Sequence, residues 1–157
     1  MEFHNIPPVY DSKSEVLILG SFPSVKSREG GFFYHHPQNR FWKVVSAVLD
    51  ADTPETIEQK IKLLTSSRIA LWDVIASCEI KGSSDSDITG ATPNDLSEIL
   101  ACSNVGRIFT NGSLAHRLYQ KHIKPKIGID DVALPSTSAA NASYSLERLV
   151  EKWRILF

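Results

Sequence analysis

The sequence predicts an α/β fold: a three-layer αβα sandwich with a central four-stranded parallel sheet. The alternation of two kinds of segment along the chain leads to this prediction. Short apolar segments, as expected for buried parallel strands, alternate along the chain with segments whose apolar residues recur at helical spacing. The chain of 157 residues also shows no internal repeat and no low-complexity tract, so we expect one domain that covers residues 1–157.

Four segments have the composition of strands. They are residues 15–19, 68–76, 105–111 and 130–135. The first is a continuous apolar run that ends at Gly20. Residues 1–14 are predicted to be irregular, because Pro7 and Pro8 block regular structure. Residues 77–92 are polar and rich in Gly and Ser, which predicts a loop.

Helices are expected between and after these strands. They are predicted at residues 40–50, from residue 53 onward, at 92–101, at 114–122 and at 145–155. Asn39 or Gln38 is placed to cap the first helix. The second would start with Thr53 as cap and Pro54 at its first position. The residues expected to face inward from the second and last helices are Ile57, Ile61, Leu64, Leu146, Leu149, Val150 and Trp153.

Charge and composition exclude several classes of protein. Lys and Arg together number 17 and Asp and Glu 18, so any nucleic-acid surface must be a local patch. Residues 20–43 carry four basic residues against one acidic residue, whereas residues 76–98 carry one against five. The first residues lack a basic segment followed by an apolar one, so we expect no signal peptide, and no apolar run is long enough to span a bilayer. Cys78 and Cys102 lack paired spacing, so we expect reduced thiols in a cytoplasmic protein.

The carboxyl ends of the strands are the expected ligand site, as in other open α/β sheets. Small or polar residues stand at each end: residues 20–24, Asp73, residues 111–113 and residues 134–138. The glycine-rich motifs of nucleotide-binding loops, the nucleophile elbow of hydrolases and the zinc-protease motif are all absent. The adjacent His35 and His36 have no third ligand at a recognisable spacing, so we expect no metal.

Five segments, in this order, resemble the uracil-DNA glycosylase superfamily. They are "LGSFPS" after the first strand, "HPQNRFW" at the next helix, "LWDVIASCEIKGSSDSDI" after the second strand, "NG" after the third and "LPSTSAANAS" after the fourth. Within that superfamily the chain is most similar to the hypoxanthine-DNA glycosylase branch, over residues 15–155. The resemblance implies that a damaged base is flipped into a pocket at the strand ends and that its N-glycosidic bond is hydrolysed without a cofactor.

The resemblance assigns the catalytic role to Asn39, the Asn of "HPQN". In the uracil branch, an Asp shortly after the first strand holds the attacking water, whereas "GSFPS" in this chain has no carboxylate. The amide of Asn39 can accept a hydrogen bond from the water and orient it. The alternative role for Asn39 is a helix cap, and the two roles are compatible.

Four residues are candidates for binding the flipped base. Phe22 would stack on the base beside Ser21, or else belong to the core. Asp73 stands where uracil-specific relatives carry a base-reading Asn, and its carboxylate would accept from the N1–H of hypoxanthine unless it only caps a turn. Asn111 can donate and accept, or it can be a turn residue before Gly112.

Contacts with DNA are expected from the loops around these residues. Uracil-specific relatives carry a His after the fourth strand that stabilises the base anion, and Leu134 occupies that place here. Similar sequences carry a Pro where this chain has Ala139, which would loosen the loop. The residues expected to contact DNA are Pro23, Ser24, Lys26, Gly112, Ser113, Ser136, Thr137 and Ser138.

The leading hypothesis is a monomeric, monofunctional glycosylase that removes hypoxanthine from damaged DNA. It is called monofunctional because the pocket motifs contain no obvious Schiff-base lysine, Lys26 being the nearest. One alternative is removal of uracil or another deaminated base, against which the missing Asp and His count. The other is a non-catalytic nucleotide- or DNA-binding α/β module, against which Asn39 and the strand-end loops count.

Overall fold

A four-stranded parallel sheet lies at the centre of the protein. The computed structural model describes residues 1–79 and 89–157. In chain order the elements are β1 (Glu2–Phe3), β2 (Val16–Gly20), α1 (Val25–Gly30), α2 (Phe41–Val48), α3 (Ile57–Ser66), β3 (Ile69–Asp73), β4 (Ile75–Glu79), β5 (Thr89–Pro93), α4 (Ser97–Cys102), β6 (Arg107–Asn111), α5 (Ser113–His122), α6 (Lys124–Ile127), β7 (Asp131–Leu134), α7 (Leu146–Trp153) and a final 3₁₀ turn (Arg154–Leu156). The central sheet has the order β3–β2–β6–β7, with all neighbours parallel, so the polar strand ends meet at one edge.

The central sheet separates two hydrophobic clusters, because side chains alternate between the faces of each strand. In β2, Ile18 belongs to one cluster, whereas Leu17 and Leu19 belong to the other. The helices α2, α3 and α7 cover the first face with Phe41, Leu64 and Trp153. The helices α4 and α5 cover the second face with Ile99 and Tyr119. The structure therefore confirms the predicted αβα sandwich.

A second, antiparallel sheet of order β1–β4–β5 corrects three of the predictions. The expected strand 68–76 is divided at Val74 between β3 and β4, which belong to different sheets. Residues 1–14, expected to be irregular, supply β1. The expected loop 77–92 contains the end of β4 and most of β5, and its residues 80–88 lie outside the described part of the chain. The pairing of β1 with β4 joins distant segments, so no local pattern indicates it.

Helix starts differ from the predicted ones where the chain uses another cap. The helix α3 begins after Thr56, whose hydroxyl accepts from the Gln59 N–H while the Gln59 side chain accepts from the Thr56 N–H. Thr53 and Pro54 precede this capping box. Of the residues expected to face inward, Leu64, Leu149 and Trp153 are buried and Val150 is half-buried, whereas Ile57, Ile61 and Leu146 are exposed.

Two further differences concern short helices. The helix α4 begins at Ser97 rather than near Thr92, because Thr92 and Pro93 belong to β5. The loop after β2 contains α1, which was not predicted, and Ser24 caps it by accepting from the Ser27 N–H at 3.2 Å. The loop is therefore partly helical where it meets the strand ends.

Both cysteines are free. Cys78 is buried, and this burial raises the pKa of its thiol, whereas Cys102 is exposed. Both are therefore thiols, as expected for reduced cysteines. Across the described residues, we find no helix long and apolar enough to cross a membrane.

Candidate active site

A cavity of about 540 Å³ opens at the carboxyl ends of β2, β3 and β6. Ten residues expected to form the site line it: Ser21, Phe22, Pro23, Ser24, Asn39, Asp73, Asn111, Ser136, Thr137 and Ser138. Lys26, Gly112 and Ser113 lie outside this lining. Ser113 instead lines a neighbouring cavity of about 580 Å³, which shares Ser136 and Ser138 with the first.

Asp73 is the buried charge of the cavity. It ends β3, is 3% exposed, and its Oδ2 lies 2.8 Å from Nε2 of the equally buried His4. The Ile6 N–H points to His4 Nδ1 at 3.3 Å, so Nδ1 is the acceptor and Nε2 carries the proton that is donated to Asp73. The sequence did not indicate His4, because 69 residues separate it from Asp73.

Gly20 makes room for the other carboxylate oxygen of Asp73. The two residues are register partners on neighbouring strands. A Cβ at position 20 would overlap Asp73 Oδ1 and lie 2.8 Å from the hydroxyl oxygen of Tyr34, whose ring stacks on Phe41. The carboxylate therefore keeps its place beside the cavity only because residue 20 has no side chain.

Asn39 is held by two hydrogen bonds to its amide oxygen. The Phe41 N–H donates to Oδ1 at 2.9 Å, and the Thr137 hydroxyl donates to it at 2.8 Å. Both lone pairs of Oδ1 are therefore used. Nδ2 makes no hydrogen bond within the described residues, so Asn39 offers a ligand a donor rather than the expected acceptor. The cap position of α2 is Arg40, without a side-chain bond, although Asn39 still satisfies the first N–H of the helix.

Asn111 and Thr137 hold each other in turn. Asn111 Oδ1 accepts from the Thr137 N–H at 3.1 Å, and Asn111 Nδ2 donates to the Thr137 hydroxyl at 3.0 Å. Thr137 is fully buried, and its expected contact with DNA stays a prediction. Its hydroxyl links Asn111 to Asn39, so it positions both amides. Asn111 lines the cavity, and its amide oxygen and its NH₂ group each already make one hydrogen bond to Thr137.

Arg40 holds the loop that follows β7. Its N–H donates to the Thr137 carbonyl at 3.0 Å. Its guanidinium donates at 2.6, 3.2 and 3.3 Å to the carbonyl oxygens of Tyr144, Asn141 and Ser138. Arg40 is one of the four basic residues of segment 20–43 that were expected to favour DNA. Its guanidinium instead bonds backbone carbonyl oxygens within the protein. The bonds span Ala139, so the loop keeps a defined path without a proline there.

Phe22 is an apolar wall of the cavity and is 8% exposed. The Arg28 guanidinium lies over its ring at 5.4 Å and bonds Glu2 at 2.7 Å, while the His4 ring meets it edge-on at 6.1 Å. A second cation of the expected basic patch is therefore engaged within the protein. The two that remain exposed are Lys26 and Lys43.

The rim of the cavity is made of short hydrogen-bonded turns. Ser136 accepts from the Ser138 N–H at 3.1 Å, and Ser138 accepts from the Ala140 N–H at 3.2 Å. Each hydroxyl keeps its own proton for a ligand. Gly112 has a φ of 98°, and a Cβ there would come within 3.1 Å of the Ser136 Cβ. These small residues allow a close approach to the backbone.

Metal ligands are not grouped in the part of the chain that the structure describes: no three His, Cys, Asp or Glu side chains are placed to hold an ion. His36 lines the cavity, with Nδ1 accepting from the Gln38 N–H at 3.1 Å. The expectation that the protein works without a metal stays a prediction.

The strand ends and the loop before α2 thus bring a carboxylate, two amides and an aromatic ring to one cavity, which defines an α/β protein with a ligand site at the edge of a parallel sheet. The chain belongs to the uracil DNA glycosylase superfamily, whose sequence model matches residues 7–156. It is 35% identical to the hypoxanthine DNA glycosylase of Methanosarcina acetivorans over 153 residues, which are 96% of this chain and 95% of that protein. It is 29% identical to the hypoxanthine DNA glycosylase of Methanosarcina barkeri over 143 residues, 90% of this chain and 89% of that one.

A solved structure is similar over nearly the same length. It is the solution NMR structure of a protein from Methanosarcina acetivorans that is described as a candidate uracil DNA glycosylase. The two chains share a TM-score of 0.80 and 33% identity, with 96% of each covered. These comparisons confirm the resemblance that the five sequence segments indicated.

Proposed function

We propose that this protein is a DNA glycosylase that hydrolyses the N-glycosidic bond of hypoxanthine in DNA. The observation that carries the proposal is the buried carboxylate of Asp73, which lines the cavity and is held as a hydrogen-bond acceptor by His4. Hypoxanthine has a donor at N1, whereas adenine has a bare nitrogen with a lone pair there. Two relatives that cover most of the chain carry the name hypoxanthine DNA glycosylase, which supports the same substrate.

The cavity suits one flipped nucleotide. Its volume of about 540 Å³ lies within the range of small-ligand pockets. Extruding a base costs a few kcal/mol, which stacking and edge recognition in the pocket offset. Phe22 would contact the face of the base, and Asp73 would accept from its N1–H. Adenine would place a lone pair against the carboxylate, so adenine is rejected.

Asn39 is proposed to hold the attacking water as a donor, through Nδ2. Its oxygen is occupied by Phe41 and Thr137, so only the NH₂ group is left. The C1′–N9 bond breaks first, the base leaves with the electron pair, and the sugar becomes an oxocarbenium-like cation. A water that accepts a hydrogen bond from Asn39 keeps a lone pair that adds to C1′. The proton that this water then loses passes to the surrounding water, which in turn protonates the departed base anion. Positioning alone is adequate for so reactive a cation.

Water is also the proposed nucleophile because no lysine lines the cavity in the described part of the chain. The enzyme is therefore proposed to be monofunctional and to leave an abasic site. Its partner would be damaged DNA, and we propose that it acts as a monomer in the cytoplasm without a cofactor.

The proposal is tested with oligonucleotides that contain inosine, uracil, xanthine or ethenoadenine, followed by alkaline cleavage of abasic sites. We expect inosine to be cleaved fastest. Asn39→Ala protein prepared in the same way controls for host glycosylases. Cleavage of uracil but not inosine would overturn the substrate, and uracil has support from the description of the solved relative. Binding without cleavage of any base would favour the non-catalytic alternative.

A further inference from the structure

The N-terminal segment contacts a residue of the cavity lining, because His4 bonds Asp73, although residues 1–6 lie outside the part of the chain that the family's sequence model matches, residues 7–156. The strand β1 pairs antiparallel with β4, and the His4 N–H donates to the Ala76 carbonyl at 2.7 Å. The Trp72 indole donates to the Ile6 carbonyl at 3.2 Å. The backbone on both sides of His4 is therefore tied to the elements that flank the cavity.

The imidazole of His4 is enclosed by aromatic rings. It meets Phe22 at 6.1 Å and Trp72 at 6.0 Å, both edge-on, and Phe33 at 6.0 Å. Its side chain is 3% exposed. The ring cannot turn without displacing these neighbours, and each nitrogen has one partner: the Ile6 N–H at Nδ1 and the Asp73 carboxylate at Nε2. The donor that faces Asp73 is thus fixed in direction.

This donor determines how the carboxylate is presented. Oδ2 of Asp73 is bonded to His4, while Oδ1 lies at the space left by Gly20. Without the Nε2–H, a nearly buried Asp73 would lose its partner and become costly as an anion. A carboxylate without this donor is free to rotate, and its acceptor is then no longer held toward an N1–H.

We infer that His4 is a positioning residue that keeps Asp73 oriented as an acceptor and so sets the selectivity for bases with an N–H at position 1. The inference rests on the proposed function. It assigns a role in base selection to the N-terminal segment, through a residue that need not touch the DNA.

The test compares three variants by single-turnover excision. His4→Phe keeps a planar ring and removes the donor. His4→Gln places a side-chain N–H at a similar reach. Phe3→Ala changes the adjacent residue of β1, whose side chain is 65% exposed, and is the matched control. The substrates are deoxyinosine and deoxynebularine, a purine nucleoside with a bare N1 and no group at C6.

We expect His4→Phe to lower both the inosine rate and the ratio of inosine to nebularine rates by about tenfold, as for loss of a hydrogen bond to a buried charged group. His4→Gln should stay within about threefold of wild type, and Phe3→Ala should match wild type. If His4 had a purely structural role, His4→Phe would lower the excision rates of both substrates by the same factor. The inference is overturned if His4→Phe keeps the wild-type ratio, or if His4→Gln is no better than His4→Phe.

If the His4→Phe variant does not fold, a spectroscopic measurement on the wild-type protein still tests the inference. The nitrogen-15 NMR signals of His4 in the wild-type protein should show a protonated Nε2 and an unprotonated Nδ1, and they should shift in Asp73→Asn. A protonated Nδ1 would overturn the inference, as would His4 signals that do not shift in Asp73→Asn. Wild-type protein that releases no hypoxanthine would overturn the proposed function instead, and the spectrum would still decide the pairing of His4 with Asp73.

Discussion

The two polar walls of the cavity are built by different physical means. At the end of β3, Asp73 is a buried charge paired with His4. Across the cavity, Asn39, Thr137 and Asn111 form a chain of uncharged hydrogen bonds. A buried charge is costly unless it is paired, but it distinguishes sharply between an N–H and a lone pair. Amides discriminate less, and they orient a ligand without changing their charge.

Each wall depends on a residue that supplies no side chain to the cavity. Gly20 leaves room for the Asp73 carboxylate, and Arg40 holds the loop that carries Thr137. The charged wall, formed by Asp73 and His4, thus depends on the space beside residue 20. The neutral wall, formed by Asn39, Thr137 and Asn111, depends on the position of the loop after β7. Variants that change one wall at a time should therefore separate selection of the base from placement of the water.

The largest effect is expected at the neutral wall. Asn39→Ala should lower single-turnover inosine excision by about 10²-fold or more, with a much smaller loss of DNA binding, because a positioning group is removed. Asn39→Asp tests the donor role, since a carboxylate keeps the acceptor and lacks the N–H. We expect it to be as inactive as Asn39→Ala. Full activity of Asn39→Asp would mean that the water needs an acceptor, and rates for Asn39→Ala within about threefold of wild type would remove Asn39 from the mechanism.

At the charged wall, Asp73→Asn should lower inosine excision roughly 10- to 100-fold, the effect of one mismatched buried polar contact. The amide can still accept from His4 and then presents its NH₂ group to the base. The melting temperature should therefore change little, and relative acceptance of bases with a bare N1 should rise. A variant that unfolds readily, or that keeps full inosine activity and selectivity, would make Asp73 structural and leave Asn111 as the next candidate to read the base.

Gly20→Ala tests the space on which the charged wall depends. The new Cβ overlaps Asp73 Oδ1, so we expect a loss of about 1–3 kcal/mol in the free energy of unfolding, measured in urea. Gly106→Ala is the control, because a Cβ at Gly106 meets nothing within 4 Å. Equal stabilities for the two variants would show that Asp73 moves aside at little cost.

Thr137→Val keeps the shape of the side chain and removes the hydroxyl that links Asn39 to Asn111. We expect inosine excision to fall about tenfold and stability to fall by about 1 kcal/mol, the net contribution of a typical hydrogen bond. Thr137→Ser retains the hydroxyl and should stay near wild type. If Val and Ser behave alike, the neutral wall does not depend on this link.

The smallest effect is expected from metal removal. Neither wall groups three metal-ligand side chains in the described residues, so EDTA should leave inosine excision unchanged. The measurement is the single-turnover rate before and after dialysis against the chelator. A loss of activity that a divalent ion restores would place a metal at one of the walls.

Local patterns in the sequence specify the layered fold and the edge of the sheet at which the site lies. Apolar runs and helical spacing are local patterns, and parallel strands joined by helices bring their carboxyl ends together without further information. This is why Phe22, Asp73 and Asn111 were expected at one cavity and are found there. The order of the motifs around Asn39 added the family, which the comparisons confirm.

Which hydrogen bonds each polar group of the site has left for a ligand depends on contacts between distant segments. His4 meets Asp73 across 69 residues, and the Asn39 oxygen meets Thr137 across 98, so no periodicity along the chain relates them. Those contacts turn Asn39 into a donor and engage the Arg40 charge within the protein. Residue types tell which hydrogen bonds are possible, but the free donors and acceptors of a site are those left after the fold has used the others.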